Sequence, residues 1–181
     1  MSRRPRAWTT RPPTLRRALL TLASALAVAL AILLQRFGPQ RATAHASLPA
    51  TAVVARVIDG DTVELSDGRR VRYLGINTPE LRKRAGTQWI YAPEPFGEEA
   101  AAANRRLVEG RTVRLEYDSR LYDRYNRLLA YVYAGETFVN AALLAQGLAR
   151  VLIIPPNTRH AEEFQDLQRQ ARQARLGMWG R

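Results

Sequence analysis

From residue 52 to 76 the chain alternates apolar and polar residues and is broken twice by Asp-Gly, a pattern that commits it to an antiparallel meander. Ala52 to Ile58 is a strand rich in β-branched residues, Asp59-Gly60 turns the chain, and Thr62 to Leu65 returns. Asp67-Gly68 then reads as a two-residue hairpin, with a third strand over Arg69 to Ile76. Arg111 to Tyr117 alternates as a fourth strand with Val113 and Leu115 on one face, and Leu128 to Tyr133 is a fifth. Ala149 to Ile154 is a last strand or edge.

Helices fit between and after these strands. Gly97 to Glu109 has acids in its first turn and Gly110 at its end, and Val139 to Gln146 is closed by Gly147. Thr158 is expected to cap a polar helix reaching about Arg175, with Trp179 packing that helix into the core. Leu81 to Pro95 shows no period and holds Gly86, Pro93 and Pro95, so a loop is expected; its Arg82, Lys83 and Arg84 could reach a phosphate. The sum is an α+β fold: a five-stranded OB-type Greek-key barrel with about three helices. Such barrels commonly bind oligonucleotides, but the architecture alone does not define an activity.

Charge divides the chain further. Of the net charge of +12, the first 50 residues supply +8, from eight arginines and no acid. The excess therefore lies mostly outside the barrel, and basic residues inside it count by position. Ala18 to Leu34 is a seventeen-residue uncharged apolar run, preceded by six arginines and followed by Arg36 and Arg41. As a helix it would span roughly 26 Å, enough for a thin bilayer, with the arginine bias placing the following domain outside the cytoplasm. Ala44-His45-Ala46 also fits a cleavage site, which would make the product secreted, and a buried soluble helix is a third reading. Arg16-Arg17 is a weak match to a twin-arginine export signal. The expected division is a basic segment with membrane anchor or signal over 1–36, a linker over 37–51 and the barrel domain over 52–181.

The absence of cysteine excludes disulfides, thiolate catalysis and cysteine-bound zinc. With His45 and His160 alone, a metal site would use oxygen donors and a hard cation. Two clusters offer such donors beside arginine: Asp59 and Asp61 after the first strand, and Arg72, Asn77, Thr78 and Glu80 at the end of the third. In-line attack on a phosphodiester builds negative charge that two planar guanidinium groups can flank. One carboxylate must then stay off the metal to act as base, and Glu80, beyond the rigid Pro79, is placed for that. Asp59 beside Gly60 reads as a turn former, and Arg127 could simply pair with Asp123.

Asp59-Gly60-Asp61-Thr62, Arg72 through Glu80 and Asp123-Arg124-Tyr125-Asn126-Arg127, in that order, resemble the staphylococcal nuclease (thermonuclease) family. Phe96-Gly97-Glu98-Glu99-Ala100 and Val139 through Ala149 resemble it too, so the likeness covers residues 52 to 179. The resemblance implies calcium-dependent endonuclease activity on DNA and RNA, cutting the 5′ P–O bond to leave 3′-phosphates. It implies Asp61, Asn77 and the Thr78 carbonyl as calcium ligands, and Arg72 and Arg127 as catalytic groups on the attacked phosphate. Glu80 is implied as the base, and Arg124 and Tyr125 as contacts to the nucleotide's terminal phosphate. Asn77 stands where the best-known member has a second calcium-binding aspartate, and Leu152-Ile153-Ile154-Pro155 lacks that member's substrate-contacting tyrosines. The competing expectation is a non-catalytic nucleic-acid-binding OB module, or an adaptor domain held at a membrane. A monomer is expected, with nucleic acid as its partner, the membrane as a second if the segment is uncleaved, and no protein partner.

Overall fold

A computed structural model describes residues 48–180. In chain order it contains β1 (Thr51–Asp59), β2 (Thr62–Leu65), β3 (Arg70–Tyr73), β4 (Gly75–Asn77), β5 (Arg82–Ala85) and β6 (Gln88–Tyr91). These are followed by α1 (Gly97–Val108), β7 (Thr112–Glu116), β8 (Leu128–Ala134), β9 (Thr137–Phe138), α2 (Val139–Ala145), β10 (Arg150–Leu152), α3 (Ala161–Gln173) and a single 3₁₀ turn, Gly177–Trp179.

Alternation decides what these strands build. Val54, Val63, Leu65, Val71, Tyr73, Val113, Leu115, Leu128, Ala130 and Val132 all point inward and are buried. β1 serves two neighbours: Thr51 to Val53 pairs with β7, and Val54 to Asp59 pairs with β2 across two register shifts. Such irregularities bend a strand so that a sheet can curl. β3 pairs antiparallel with β2 and parallel with β8, which closes β1, β2, β3, β7 and β8 into a five-stranded barrel. The expected OB-type α+β fold is what forms.

Two buried asparagines fix the barrel where the chain must leave it. Asn140 on α2 donates to the Leu74 carbonyl at 2.8 Å and accepts from the Val132 N–H at 3.0 Å. Asn104 on α1 accepts from the Tyr73 hydroxyl at 2.9 Å and donates to the Asp59 carbonyl at 3.2 Å. Each satisfies a polar group that would otherwise be costly to bury. The anticipated third strand is accordingly two. Gly75, at φ 75°, swings the chain off β8, and β4 pairs with β10 instead.

Four further expectations change. Leu81 to Pro95 is not a loop throughout: β5 and β6 form a hairpin. All its strand residues are exposed, so burial imprints no apolar period on them. Residues 48–51, expected to end a linker, are docked on the domain: Leu48 packs against the core, and the Pro49 and Ala50 carbonyls accept from the Tyr117 hydroxyl and Leu115 N–H. Thr158 offers α3 no side-chain cap; its carbonyl holds the turn into Ala161, while the Arg159 N–H is drawn to Asp118. Trp179 is half-buried rather than core, with the Arg172 guanidinium 4.3 Å from its ring centre. The anchor or signal segment and most of the linker lie outside the described residues. Among those described, no helix is long and apolar enough to cross a membrane.

Gly60 sets the approach of the second donor cluster to the first. A Cβ there would lie 2.6 Å from Thr78 Oγ1 and 2.8 Å from the Ala100 Cβ. Gly60→Ala should therefore destabilise the fold by about 2 kcal/mol, measured by urea unfolding. An unchanged midpoint would show that Thr78 can move away freely.

Candidate active site

The barrel register assembles the site. On β3, Val71 and Tyr73 face the core, so Arg72 faces outward, between Thr62 of β2 and Leu129 of β8. Asp61 immediately precedes Thr62 and is 1% exposed. Its carboxylate forms an ion pair with Arg72, accepts from the Thr78 N–H at 2.8 Å and accepts from the Thr62 hydroxyl at 3.2 Å. Arg72 reaches further: its Nη2 donates to Asn77 Oδ1 at 2.6 Å. Asn77 in turn leans on the Thr78 carbonyl, at 3.4 Å. Asp61, Arg72, Asn77 and Thr78 thus form one connected group, joined by the Thr78 N–H on Asp61 and by the Arg72 guanidinium between Asp61 and Asn77.

Glu80 follows at the surface, an exposed residue whose carboxylate is partly screened from water, with its N–H donating to Glu94 Oε2 at 3.2 Å. Partial burial raises its pKa above the ordinary carboxylate value; Asp59 and Glu94 add to this, while Arg72 and Arg127 oppose it. A raised pKa brings a carboxylate nearer to the value suited to general-base work at neutral pH. Asp59 is also raised, first by burial and against the pull of Arg72 and Arg127. The same side chain accepts the Asp61 N–H at 3.1 Å, so it does shape the turn.

Arg127 comes from the loop before β8. Asp123 organises that loop by accepting the Tyr125 N–H at 2.9 Å, the Arg127 N–H at 3.0 Å and the Arg127 Nε at 2.6 Å. The pairing of Arg127 with Asp123 is therefore present. It does not withdraw Arg127 from the site, since Nη1 still reaches the Thr62 hydroxyl at 3.5 Å. Burial lowers the Arg72 pKa and Arg127 lowers it further, while Asp59, Glu80 and Asp123 pull it back up. An arginine stays charged throughout, so two neighbouring cations face one another with carboxylates around them. Such an array is ready for a phosphate.

Arg72, Arg127, Arg124 and Tyr125 all line one cavity of about 650 Å³, with Tyr122, Leu152 and Ile154 along its wall. The Arg124 guanidinium lies 4.8 Å from the Tyr125 ring centre. Asn77 and Thr78 instead line a neighbouring recess of about 340 Å³, shared with Glu94 and Arg150. Arg72, Arg124 and Arg127 thus line one hollow and Asn77 and Thr78 the other, with Asp61 buried and lining neither.

The donor chemistry suits a hard cation. Asp61, Asn77 and Thr78 present a carboxylate, an amide and a carbonyl oxygen, and a positive group, Arg72, already bridges the first two. Among the described residues there is no group of three or more His, Cys, Asp or Glu side chains able to hold a metal. One carboxylate with neutral oxygens fits calcium, which accepts many loosely arranged oxygens including water and phosphate. It does not fit a tight, highly charged cage.

Comparison with known proteins places the chain in a family. Residues 70–181 match the family described as staphylococcal nuclease homologue. The chain belongs to the staphylococcal nuclease family. It is 34% identical to the thermonuclease of Staphylococcus intermedius over 86% of this chain and 94% of that protein. It is 38% identical to the thermonuclease of Staphylococcus hyicus over 71% of this chain and 75% of that one. Endonuclease YncB of Bacillus subtilis (strain 168) is 37% identical over 70% of this chain and 60% of its own length. Within this staphylococcal nuclease frame, the sequence reading of Asp59 as a turn former agrees with its contact to the Asp61 N–H, while Glu94 and Asn157 were missed. Asn157 pins the loop before β8 through the Arg120 N–H at 2.7 Å and the Arg120 carbonyl at 2.9 Å. Glu94 and Asn157 both act across long sequence separations that no local pattern records.

Proposed function

We infer that this protein is a calcium-dependent endonuclease that hydrolyses DNA or RNA at the 5′ P–O bond and leaves 3′-phosphates. Family membership supports a nuclease, a hydrolase of phosphodiester bonds, and the names of the relatives agree. The observation that carries the finer reading is the meeting of two arginines at one end of β2, Arg72 paired with Asp61 and Asn77 and Arg127 reaching the Thr62 hydroxyl.

In this reading Arg72 and Arg127 bind the scissile phosphate from two sides and stabilise the charge that builds during attack. Glu80 takes the proton of the attacking water, which its raised pKa favours. Arg124 and Tyr125, on the cavity wall, hold the nucleotide's terminal phosphate. Asp61, Asn77 and the Thr78 carbonyl would hold calcium, which supplies positive charge beside the attacked phosphate when bound. Thr62 keeps Asp61 oriented by its hydrogen bond. The arginine bias around the apolar run supports a domain held at a membrane outside the cytoplasm, or secreted from it.

The test is incubation of the full-length protein, in detergent, with single-stranded DNA and RNA in calcium or in chelator. Cleavage in calcium alone, leaving 3′-phosphate ends, is expected. Binding without cleavage would instead identify a non-catalytic nucleic-acid module. Asn77→Asp should tighten calcium binding by roughly tenfold by calorimetry, because it adds a formal charge to the donor set. Unchanged affinity would remove residue 77 from the ligands.

A further inference from the structure

The hairpin of β5 and β6 presents a surface that the barrel site does not use. Its register sets Arg82 opposite Tyr91 and Arg84 opposite Trp89. Alternate residues share a face of a strand, so these four side chains lie together, while Lys83 and Ile90 face the other way. Trp89 is 68% exposed and Tyr91 62% exposed, whereas Tyr73, Tyr131 and Phe164 are buried in the core. Among the described residues Arg82, Lys83 and Arg84 enter no salt bridge, and Arg84 Nε donates only to the Gly86 carbonyl, at 3.0 Å. From residue 81 to residue 93 there is no acidic side chain. Unpaired guanidinium groups beside solvent-facing aromatic rings match the needs of an unpaired nucleic-acid strand, whose bases stack and whose phosphates need cations.

The hairpin also starts at the chemistry. Its base is closed by the Glu94 N–H donating to the Glu80 carbonyl at 2.9 Å and the Ala92 N–H donating to the Leu81 carbonyl at 3.1 Å. The Tyr91 hydroxyl bonds Glu98 on α1, which ties the hairpin to the body of the domain. An isolated two-stranded ribbon is marginal in water, so this tether and a bound strand would both order it. Each strand of four residues reaches about 13 Å, which extends the binding surface outward from Glu80.

We propose that the β5–β6 hairpin is a second substrate contact, which stacks unpaired bases on Trp89 and Tyr91 and holds the adjoining phosphates with Arg82 and Arg84. It rests on the nuclease reading for its substrate, and it makes single strands preferred, because paired bases offer no free face to stack.

Binding of a fluorescent single strand of about 20 nucleotides to the full-length protein in chelator tests it without turnover. Trp89→Ala combined with Tyr91→Ala should weaken binding about tenfold, and binding of duplex of equal length should change less than twofold. Arg82→Gln combined with Arg84→Gln should lower the slope of log affinity against log salt by roughly 1.4, the value for two single-strand phosphate contacts. The arginine-rich tail contributes equally to every protein compared. Undiminished single-strand binding in both double variants overturns the proposal. So does loss of binding to anionic vesicles with nucleic-acid binding intact, which would make the hairpin a membrane-facing element. A wild-type protein that binds strands through the hairpin yet cuts nothing in calcium would sink the catalytic reading alone.

Discussion

Glu80→Gln lowers kcat on single-stranded DNA by about 10³-fold and leaves the unfolding free energy within about 0.5 kcal/mol. Residue 80 lies at the surface, and the substitution keeps the side chain's shape while removing its ability to accept a proton. The contact that seats residue 80, its N–H on Glu94 Oε2, involves the backbone and survives. The pH profile tests the assignment more closely. Burial, Asp59 and Glu94 hold the Glu80 carboxyl above the usual range, and only the ionised form can act as base. Activity should therefore fall as pH drops through that raised value, giving an acid limb in kcat/KM above an ordinary glutamate's pKa. Glu94→Gln removes one of the groups raising it while retaining an acceptor for the Glu80 N–H. The limb should then move to lower pH. A limb that stays in place in Glu94→Gln, or survives in Glu80→Gln, would assign the titration to another group.

Where burial acts on the sequence, the fold was readable. The strands of Val53 through Leu65 could be read because burial of Val54, Val57, Val63 and Leu65 selects β-branched and apolar residues, although the register shifts in β1 break strict alternation. The Asp-Gly turns fix the meander around them. The β5–β6 hairpin was invisible for the converse reason: with both faces in water, nothing selects an apolar period, and Pro93 and Pro95 suggested a loop. The split at Gly75 was hidden because Arg69 to Ile76 alternates continuously. What breaks it is a tertiary choice, with β10 available to pair β4 and Asn140 capturing the Leu74 carbonyl. For the candidate site, Arg72, Glu80 and Asp61 were legible as residue types in clusters. The reach of Arg127 to Thr62, across 65 positions of sequence, depends on the parallel pairing of β3 with β8, which no local spacing encodes.

Arg72→Gln should produce the other large change, and in two opposite directions. Loss of one phosphate donor should reduce kcat by about 10²- to 10³-fold. It should also leave Asp61, 1% exposed, without its cation, costing about 3 kcal/mol of stability in chelator, somewhat less if the Thr62 and Thr78 bonds hold. Calcium should then restore more to the variant than to the wild type. In the wild type the Arg72 guanidinium spans Asp61 and Asn77, so a cation must first displace it; in the variant both oxygens are open. A ligand that binds only the folded state stabilises in proportion to its affinity, so the calcium-induced rise in Tm should be larger in Arg72→Gln. Arg72→Lys should lie between, since it keeps the charge but cannot bridge two oxygens with a planar fork. Equal rises in Tm for the variant and the wild type would mean that Arg72 and the cation do not compete for Asp61. Under the proposed mechanism the guanidinium would then serve the phosphate alone, with no exchange between it and the cation.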